Sequence, residues 1–474
     1  MPLVALLALS GCQPTAARRG DTVMFASGAD LQSMNPLLTL HPLARQVQRY
    51  VLLTTLARYD SALTPQPYLA RAWSWSTDRR TLRFSLLTGV RWHDGHPTTA
   101  HDVRWTLDAA RDPVVGYPRA AELADLERVE TPDDSTVVFS FAEPQQRFPD
   151  VLTDLAILPA HLLEQVPRDG LRRAAWNEAP VGNGPFRFVS HEPNRRWVFE
   201  ANRDFPTALG GPPRLRRFIV VVVDEPATKL AALTAGELDF AGIQPAHASF
   251  VARDPALAVV SYPLLLTYAI AFNTRRAPFD ALGARRRVDA AVNRREIVQG
   301  YLYGYGTPAQ APVPSDLPGY VPVSSAPAGA VAAAAAPASG PPLRFELLTV
   351  GSGEAPLEQM VQAQLRTAGI EASIRQLELS AFLGRVYGSG HDFDAAVLGV
   401  TGDAGLAYLG PLGAVTGVEM PADPGAAQRR FADSTPVAVL YHARGLQGMS
   451  RRVHGVTMDL RGELPSVHDW WVEP

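Results

Sequence analysis

Short runs of alternating polar and apolar residues recur along this chain between longer stretches with helical periodicity, and this pattern limits the fold class more than any other feature. Apolar side chains at every second position share one face of a β-strand, so such runs predict half-buried strands. Three runs carry the pattern: Thr81-Leu82-Arg83-Phe84-Ser85-Leu86, Thr136-Val137-Val138-Phe139-Ser140-Phe141 and Trp197-Val198-Phe199-Glu200. Strands interleaved with helices indicate a mixed α/β architecture.

Local signals place further elements. Thr99 and Asp102 have the spacing of a capping box, which predicts a helix that begins after Thr99. The continuous apolar run 218–223 predicts a strand buried on both faces. A helix over 228–235 should follow and end at Gly236.

Length and composition exclude several classes of protein. A chain of 474 residues exceeds the roughly 250–300 residues that one core supports, so two or more lobes are expected. A single Cys excludes a disulfide framework. The balance of 44 basic and 47 acidic residues gives no general reason to bind nucleic acid. Neither a G-x-S-x-G elbow, a Walker loop nor a zinc-protease motif is present, so we predict neither an enzyme nor a cofactor, and the hydrolase alternative rests on scattered His and Asp residues alone.

Residues 311–342 are rich in Pro and Ala, with five consecutive Ala residues at 332–336. This composition suits either a flexible linker or a loop followed by one short helix. We favour the second interpretation, because a strand-like run at 343–350 and a helical pattern at 357–368 follow at once.

The N-terminus resembles a bacterial lipoprotein signal. Residues 3–9 are apolar but too few for the about 20 helical residues that span a bilayer. They end in Leu9-Ser10-Gly11-Cys12, which resembles a lipobox, so we expect a signal segment over 1–12, lipidation of Cys12 and a tether over 13–21. The positive charges usual before the apolar segment are missing, which leaves a chance thiol as the alternative.

Several motifs together resemble the extracytoplasmic solute-binding proteins of ABC importers, in the large peptide/nickel-type family that includes dipeptide- and oligopeptide-binding lipoproteins. Their order and spacing hold from about Phe25 to Asp403. The motifs are Leu56-Ala57-Arg58-Tyr59-Asp60, Pro67-Tyr68-Leu69-Ala70-Arg71-Ala72-Trp73, Gly89-Val90-Arg91-Trp92-His93-Asp94-Gly95, Pro180-Val181-Gly182-Asn183-Gly184-Pro185-Phe186, Ala235-Gly236-Glu237-Leu238-Asp239, Ala271-Phe272-Asn273 and Gly304-Tyr305-Gly306-Thr307-Pro308-Ala309.

This resemblance implies a two-lobe α/β fold that encloses a ligand in an interlobe cleft. Lobe one would comprise 22–265 and the C-terminal return 441–474, and lobe two would comprise 266–440. The crossing strands would lie near 266–272 and 437–441. Ligand contacts from both lobes exist only in the closed form, so a ligand would shift the population toward it.

The resemblance also implies a function: capture of a peptide or similarly sized solute for the permease of an ABC importer, by a monomer held at the membrane through its lipid. Nickel chelates, haem and oligosaccharides remain alternative ligands. A sensor, or a degenerate homologue that no longer closes on a ligand, remains an alternative role.

Ligand-binding residues follow from the same resemblance. Asp403, with Thr401 and Gly402, matches the position where peptide-binding relatives receive the α-amino group of the ligand. Ser33, Met34 and Asn35 lie on the loop after the first strand, which faces the cleft in the family.

The chain departs from the family pattern in two places. No Arg occurs at Val350-Gly351-Ser352-Gly353-Glu354, where dipeptide-binding relatives supply one for the ligand carboxylate. After Asp403 the chain is shorter than in the family, so we expect trimmed helices and a more open lobe two.

The segment Trp92-His93-Asp94-Gly95-His96, with His101 and Asp102 beyond it, contains several groups that can bind metals. Its spacing fits no zinc-protease or paired-Cys signature, and the family uses it to join a strand, a turn and a helix. We therefore predict a structural joint and no metal site, with a divalent-metal site as the alternative.

Overall fold

The computed structural model describes residues 20–39, 41–323 and 343–473. Cys12, most of the predicted tether and the Ala run at 332–336 lie outside these ranges. Among the described residues, no helix has both the length and the apolar character needed to cross a membrane.

A mixed sheet of eleven strands runs through the described part of the chain. Its two longest strands, β12 and β17, are antiparallel neighbours in the middle of the sheet. The spatial order is β15 (Ile370–Leu377), β14 (Leu343–Val350), β16 (Ala395–Thr401), β12 (Leu257–Phe272), β17 (Val437–Ser450), β11 (Phe240–Gly242), β1 (Thr22–Ser27), β10 (Arg217–Val222), β9 (Arg196–Ala201) and β8 (Phe186–Glu192), with β13 (Gly306–Pro308) also paired to β17.

The other strands of the described chain form three smaller sheets. The four-stranded sheet has the order β4 (Ala70–Trp75), β5 (Thr81–Leu86), β7 (Thr136–Phe141) and β6 (Leu126–Asp133). Two pairs are β2 (Ala57–Tyr59) with β3 (Pro65–Pro67), and β18 (Val453–His454) with β19 (Trp471–Val472).

Helices cover the sheets and connect their strands. The α-helices of the described residues are α1 (Pro42–Val47), which continues as a π-helical turn over Gln48–Leu52, α2 (Ala100–Arg111), α3 (Val151–Asp154), α4 (Ala160–Leu163), α5 (Pro226–Thr234), α6 (Ala248–Arg253), α7 (Leu282–Ala291), α8 (Arg294–Gly300), α9 (Pro356–Thr367), α10 (Leu379–Val386), α11 (Leu409–Thr416) and α12 (Pro424–Ser434). Short 3-10 turns lie at Ala120–Leu123, Arg168–Arg173, Ala175–Asn177, Thr207–Leu209, Pro245–His247 and Val467–Asp469.

Hydrophobic packing divides the described chain into two parts. The largest core combines residues from 23–262 with residues from 453–472, and includes Trp92, Trp197 and Trp470. Two further cores combine residues almost entirely from 269–441. We refer to the first part as lobe one and to the second as lobe two. The predicted lobe boundaries themselves stay a prediction.

The long strands pass from one lobe to the other and are bent where they do so. Pro263 pairs with Arg444 and Thr267 pairs with His442, so β12 has extra residues between two successive pairings with β17. Such a bulge bends a strand and interrupts its ladder of hydrogen bonds. The bend therefore lies at the passage between the lobes.

Many predicted elements match the structure. The runs 81–86, 136–141 and 343–350 are strands with the predicted bounds, and the capping box of Thr99 and Asp102 opens α2. The helix predicted over 228–235 begins earlier, because Glu225 accepts a hydrogen bond from the Thr228 amide and Pro226 takes the first position.

One prediction needs correction. In β10 only Phe218 and Val220 are buried, while their neighbours are half-buried, so the strand is not enclosed on both faces.

The segment after Asp403 holds α11 and α12. Leu409 and Phe431 from these helices pack in the core of lobe two. That the helices are trimmed relative to the family, and that lobe two is more open, stays a prediction.

Candidate functional site

The loop after β16 fixes the carboxylate of Asp403. Its Oδ1 accepts a hydrogen bond from the amide of Ala407 at 3.0 Å, and its Oδ2 accepts one from Tyr408 at 3.1 Å. The amide of Gly402 donates to the carbonyl oxygen of Leu265 at 2.7 Å, which holds the start of the loop against β12. An ionised carboxylate has about four acceptor positions, so Asp403 retains the capacity to bind a further donor.

Asp150 from lobe one approaches the same loop. A Cβ atom placed on Gly405 would lie 3.0 Å from Asp150 Oδ2 and 3.2 Å from Asp403 Oδ1, so the two carboxylates are at most about 6 Å apart. Glycine at position 405 allows this close approach. Burial raises the pKa of Asp150, and the charge of Asp403 raises it further.

Two other side chains of lobe one complete this contact. The hydroxyl of Tyr59 donates to Asp150 Oδ1, and the guanidinium of Arg147 donates to the carbonyl oxygen of Gly405. Burial and the charge of Asp150 raise the pKa of Tyr59, so its hydroxyl remains a donor. The lobes thus meet through polar groups at this point.

A second charged group lies one helical turn away, since Asp150 immediately precedes α3 and Asp154 is the last residue of that helix. Asp154 accepts hydrogen bonds from Arg45, Arg49 and Arg119, and its side chain is 10% exposed. Burial would raise the pKa of Asp154, but the three guanidinium groups hold it well below its usual value. Three cations around one carboxylate leave an excess of positive charge, and the side chain of Arg45 remains 32% exposed.

Ser33, Met34 and Asn35 are held to the turn that contains Arg49, because the side chain of its neighbour Gln48 donates to the carbonyl oxygen of Ser33 at 3.2 Å. Met34 is fully buried in the core of lobe one. Asn35 is also fully buried, donates to Asn177 at 3.0 Å and accepts from the amide of Leu37 at 3.0 Å. Ser33 is half-buried. Contact of these three residues with a ligand stays a prediction.

Thr401 and Gly402 end β16 beside Asp403. Thr401 is exposed and Gly402 is half-buried. A Cβ atom on Gly402 would lie 3.3 Å from the Tyr408 ring, so the ring leaves little room for a larger residue. Ligand contact by Asp403, Thr401 and Gly402 likewise stays a prediction.

The histidine-rich segment is built into the joint between strand and helix. His93 accepts from the Gly182 amide at 3.3 Å and lies 3.0 Å from the Gly184 carbonyl oxygen, and burial lowers its pKa to about 4. Asp102 accepts from the amides of Thr99 and Ala160 at 2.8 and 2.9 Å. These contacts fit the predicted structural role for His93 and Asp102.

Sequence reasoning missed Asp150, Tyr59, Arg147 and the three Arg residues around Asp154. Tyr59 stands in the motif at 56–60, which gives it no role at the site, and the other residues stand in none of the quoted motifs. Their significance comes from partners far along the chain. Asp150 and Asp403 are separated by 253 residues, from 150 to 403.

Comparison with known proteins decides the family. A family model described as bacterial extracellular solute-binding proteins, family 5 Middle, matches residues 64–415. The chain belongs to this family. The predicted membership and the predicted two-lobe α/β fold are therefore confirmed.

Individual members of family 5 show how far the likeness extends. A Brucella ovis protein named as a candidate ABC transporter peptide-binding protein is 34% identical over 51% of this chain and 45% of its own length, so the match spans about half of that relative. A Pseudomonas aeruginosa protein named as a probable di/tripeptide-binding protein is 27% identical over 83% of this chain and 78% of its own length. The solved oligopeptide-binding protein of Bacillus subtilis, in complex with a nonapeptide, is 22% identical with a TM-score of 0.74 and covers 96% of this chain and 99% of its own. At this identity the solved structure shows the shared fold alone.

Proposed function

We propose that this family 5 protein is the solute-binding component of an ABC importer, which captures a peptide or similarly sized solute between its lobes and delivers it to a permease. The observation that carries the proposal is the polar contact between Asp150, Arg147 and Tyr59 of lobe one and the loop over 403–406 of lobe two. Groups brought together from two lobes can hold a ligand only in the closed form.

The charges at this contact favour a ligand with an ammonium group. Closure brings the carboxylates of Asp150 and Asp403 within about 6 Å, where they repel each other. A bound ammonium group replaces this repulsion by charge-assisted hydrogen bonds to both lobes. An ammonium ligand therefore stabilises the closed form more than a neutral solute does.

The Arg cluster around Asp154 suits the opposite end of such a ligand. Asp150 and Asp154 are one helical turn apart, about 6 Å along the α3 axis. Two extended peptide residues span up to about 7 Å. We infer that Arg45, the most exposed of the three guanidinium groups, receives the ligand carboxylate in place of the Arg that is missing from 350–354.

Thermal-shift measurements test the proposal. A pool of dipeptides to pentapeptides should raise the midpoint of unfolding, because a ligand that binds only the folded state stabilises it by mass action. The same pool with N-acetylated termini is the matched control, and it should produce a much smaller shift because it lacks the ammonium group.

Other outcomes would contradict parts of the proposal. Equal shifts of the unfolding midpoint with free and acetylated peptides would contradict the proposed binding site for the ammonium group. Stabilisation only by nickel chelates, haem or oligosaccharides would identify that class as the ligand and contradict the peptide assignment. Turnover of any bound peptide would contradict a binding role without catalysis.

The attachment to the cell is part of the same proposal. We infer an extracytoplasmic monomer anchored through lipid on Cys12, with residues 13–21 as its tether. Two or more acyl chains give stable anchoring, whereas one gives only marginal binding. Mass spectrometry of the protein from its native membrane should find acyl chains on Cys12, and an unmodified thiol there would contradict the anchor.

A further inference from the structure

Three side chains that can bind a metal converge on the surface of lobe one. Their ligand atoms, from Asp94, His96 and His161, all lie within 4.8 Å of one another. Nε2 of His161 is 2.7 Å from Asp94 Oδ2, and Nδ1 of His96 is 3.3 Å from Asp94 Oδ1. The two imidazole rings stack with their centres 4.2 Å apart.

We propose that Asp94, His96 and His161 form a binding site for a divalent transition-metal ion of the zinc type. Two imidazoles and one carboxylate form a ligand set that zinc accepts, with water in the fourth position. This site shares no residue with the interlobe contact, and the inference does not rest on the proposed function.

The backbone holds the two halves of the triad in place. Asp94 and His96 lie on a tight turn in which the Trp92 amide donates to the His96 carbonyl oxygen at 2.8 Å. Gly95 at the centre of the turn has a φ of +94°, a conformation that favours glycine. His161 lies on α4, whose first amide, that of Ala160, donates to the buried carboxylate of Asp102. The site is therefore built on ordered elements, as a metal site requires.

The distances are close to those of a zinc centre. Ligand atoms at about 2.0–2.1 Å from a tetrahedral ion lie about 3.3–3.4 Å from one another. Nδ1 of His96 lies 3.3 Å from Oδ1 of Asp94, whereas Nε2 of His161 lies 2.7 Å from the other oxygen, Oδ2. All three ligand atoms lie within 4.8 Å of one another, so the side chains must adjust before they contact one ion. The side chain of His96 is 61% exposed, so it can adjust at little cost.

The charge of the triad also suits a cation. The carboxylate of Asp94 accepts a hydrogen bond from the His96 amide at 3.1 Å and contacts both imidazoles, one at each of its oxygens. A metal ion bound here would connect the turn at 94–96 to α4.

Isothermal titration calorimetry of the untagged, metal-free full-length chain with zinc chloride tests the proposal. We expect one zinc ion per chain for the wild type. His96→Ala should weaken zinc binding at least tenfold, of the order seen when a supporting residue of a metal site is lost, about 10–100-fold. Because His96 is largely exposed, this variant should fold normally, which circular dichroism will check.

His101→Ala is the matched control, since His101, on α2, is another exposed histidine that contacts a carboxylate, that of Glu164 just after α4, at 2.9 Å. It should bind zinc with wild-type affinity. X-ray absorption at the zinc edge should show two imidazole ligands in the wild type and fewer in His96→Ala. Unchanged affinity in His96→Ala, or an equal loss in His101→Ala, would overturn the proposal.

Discussion

Asp150, just before α3, and Asp154, at its end, stand one turn apart, yet their surroundings carry charge of opposite sign. Asp154 is surrounded by Arg45, Arg49 and Arg119, and its pKa is held low although burial opposes this. Asp150 is half-buried and faces the carboxylate of Asp403, and both burial and this charge raise its pKa. Asp154 is therefore neutralised within lobe one, whereas Asp150 has the Tyr59 hydroxyl as a hydrogen-bond donor but faces a second carboxylate across the contact between the lobes.

Asp154→Asn should produce the largest change in stability. It leaves Arg45 and Arg49 without a charged acceptor in a mostly enclosed site, while Arg119 keeps Glu122, and removal of one partner from a buried ion pair costs about 3–5 kcal/mol. Urea denaturation should therefore show a free energy of unfolding lower by about 3 kcal/mol or more.

Asp108→Asn provides the control for that loss. Asp108 lies 4.0 Å from Arg104 on the surface of α2, with 45% of its side chain exposed. Exposed pairs of this kind contribute about 0.5 kcal/mol or less. Equal losses in the two variants would refute the distinction between the enclosed cluster and an ordinary surface pair.

The contrast between Asp150 and Asp154 could not have been predicted from the sequence. Strands such as β5 and β7 were predicted to the residue because alternation is a local pattern, and the capping box of Thr99 and Asp102 spans only four residues. The partners of Asp150 and Asp154 come from distant segments, so only the folded chain reveals them. The same is true of His161, which no local motif connects to Asp94.

Asp403→Ala should have the next largest effect, on affinity for a peptide that stabilises the wild type. Loss of one carboxylate from a desolvated charge pair should weaken binding by about 2 kcal/mol or more, measured by titration calorimetry. The loop also loses an acceptor for two amides, which should cost about 1 kcal/mol of stability.

Asp423→Ala separates these two effects. Asp423 also accepts an amide hydrogen bond at the start of a helix of lobe two, from Ala426 at 2.6 Å, but it lies at the exposed start of α12. It should lose similar stability and keep its affinity for peptide. Unchanged affinity for peptide in Asp403→Ala would show that Asp403 does not contact the ligand.

Asp150→Asn should have the smallest effect, and its sign should be opposite to that of Asp154→Asn. Removal of one of two like charges about 6 Å apart should leave the free energy of unfolding unchanged or raise it by up to about 1 kcal/mol at pH 7 without ligand. The amide oxygen of Asn can still accept from Tyr59, so the hydrogen bond at this position need not be lost.

The pH dependence of stability tests the difference between Asp150 and Asp154 directly. A carboxyl group whose folded pKa is raised binds its proton more tightly in the folded state, so its contribution to stability falls as the pH rises from the ordinary value of 3.8 through the folded pKa. Asp154 behaves in the opposite way, since its lowered pKa stabilises the fold above 3.8 and this contribution is lost on acidification. Denaturation curves from pH 3.5 to 7 should therefore show that the free energy of unfolding of Asp150→Asn increases relative to that of the wild type as the pH rises. A difference that stays constant or shrinks would mean that neither burial nor the charge of Asp403 raises the pKa of Asp150, and the carboxylates of Asp150 and Asp154 would then differ in degree only.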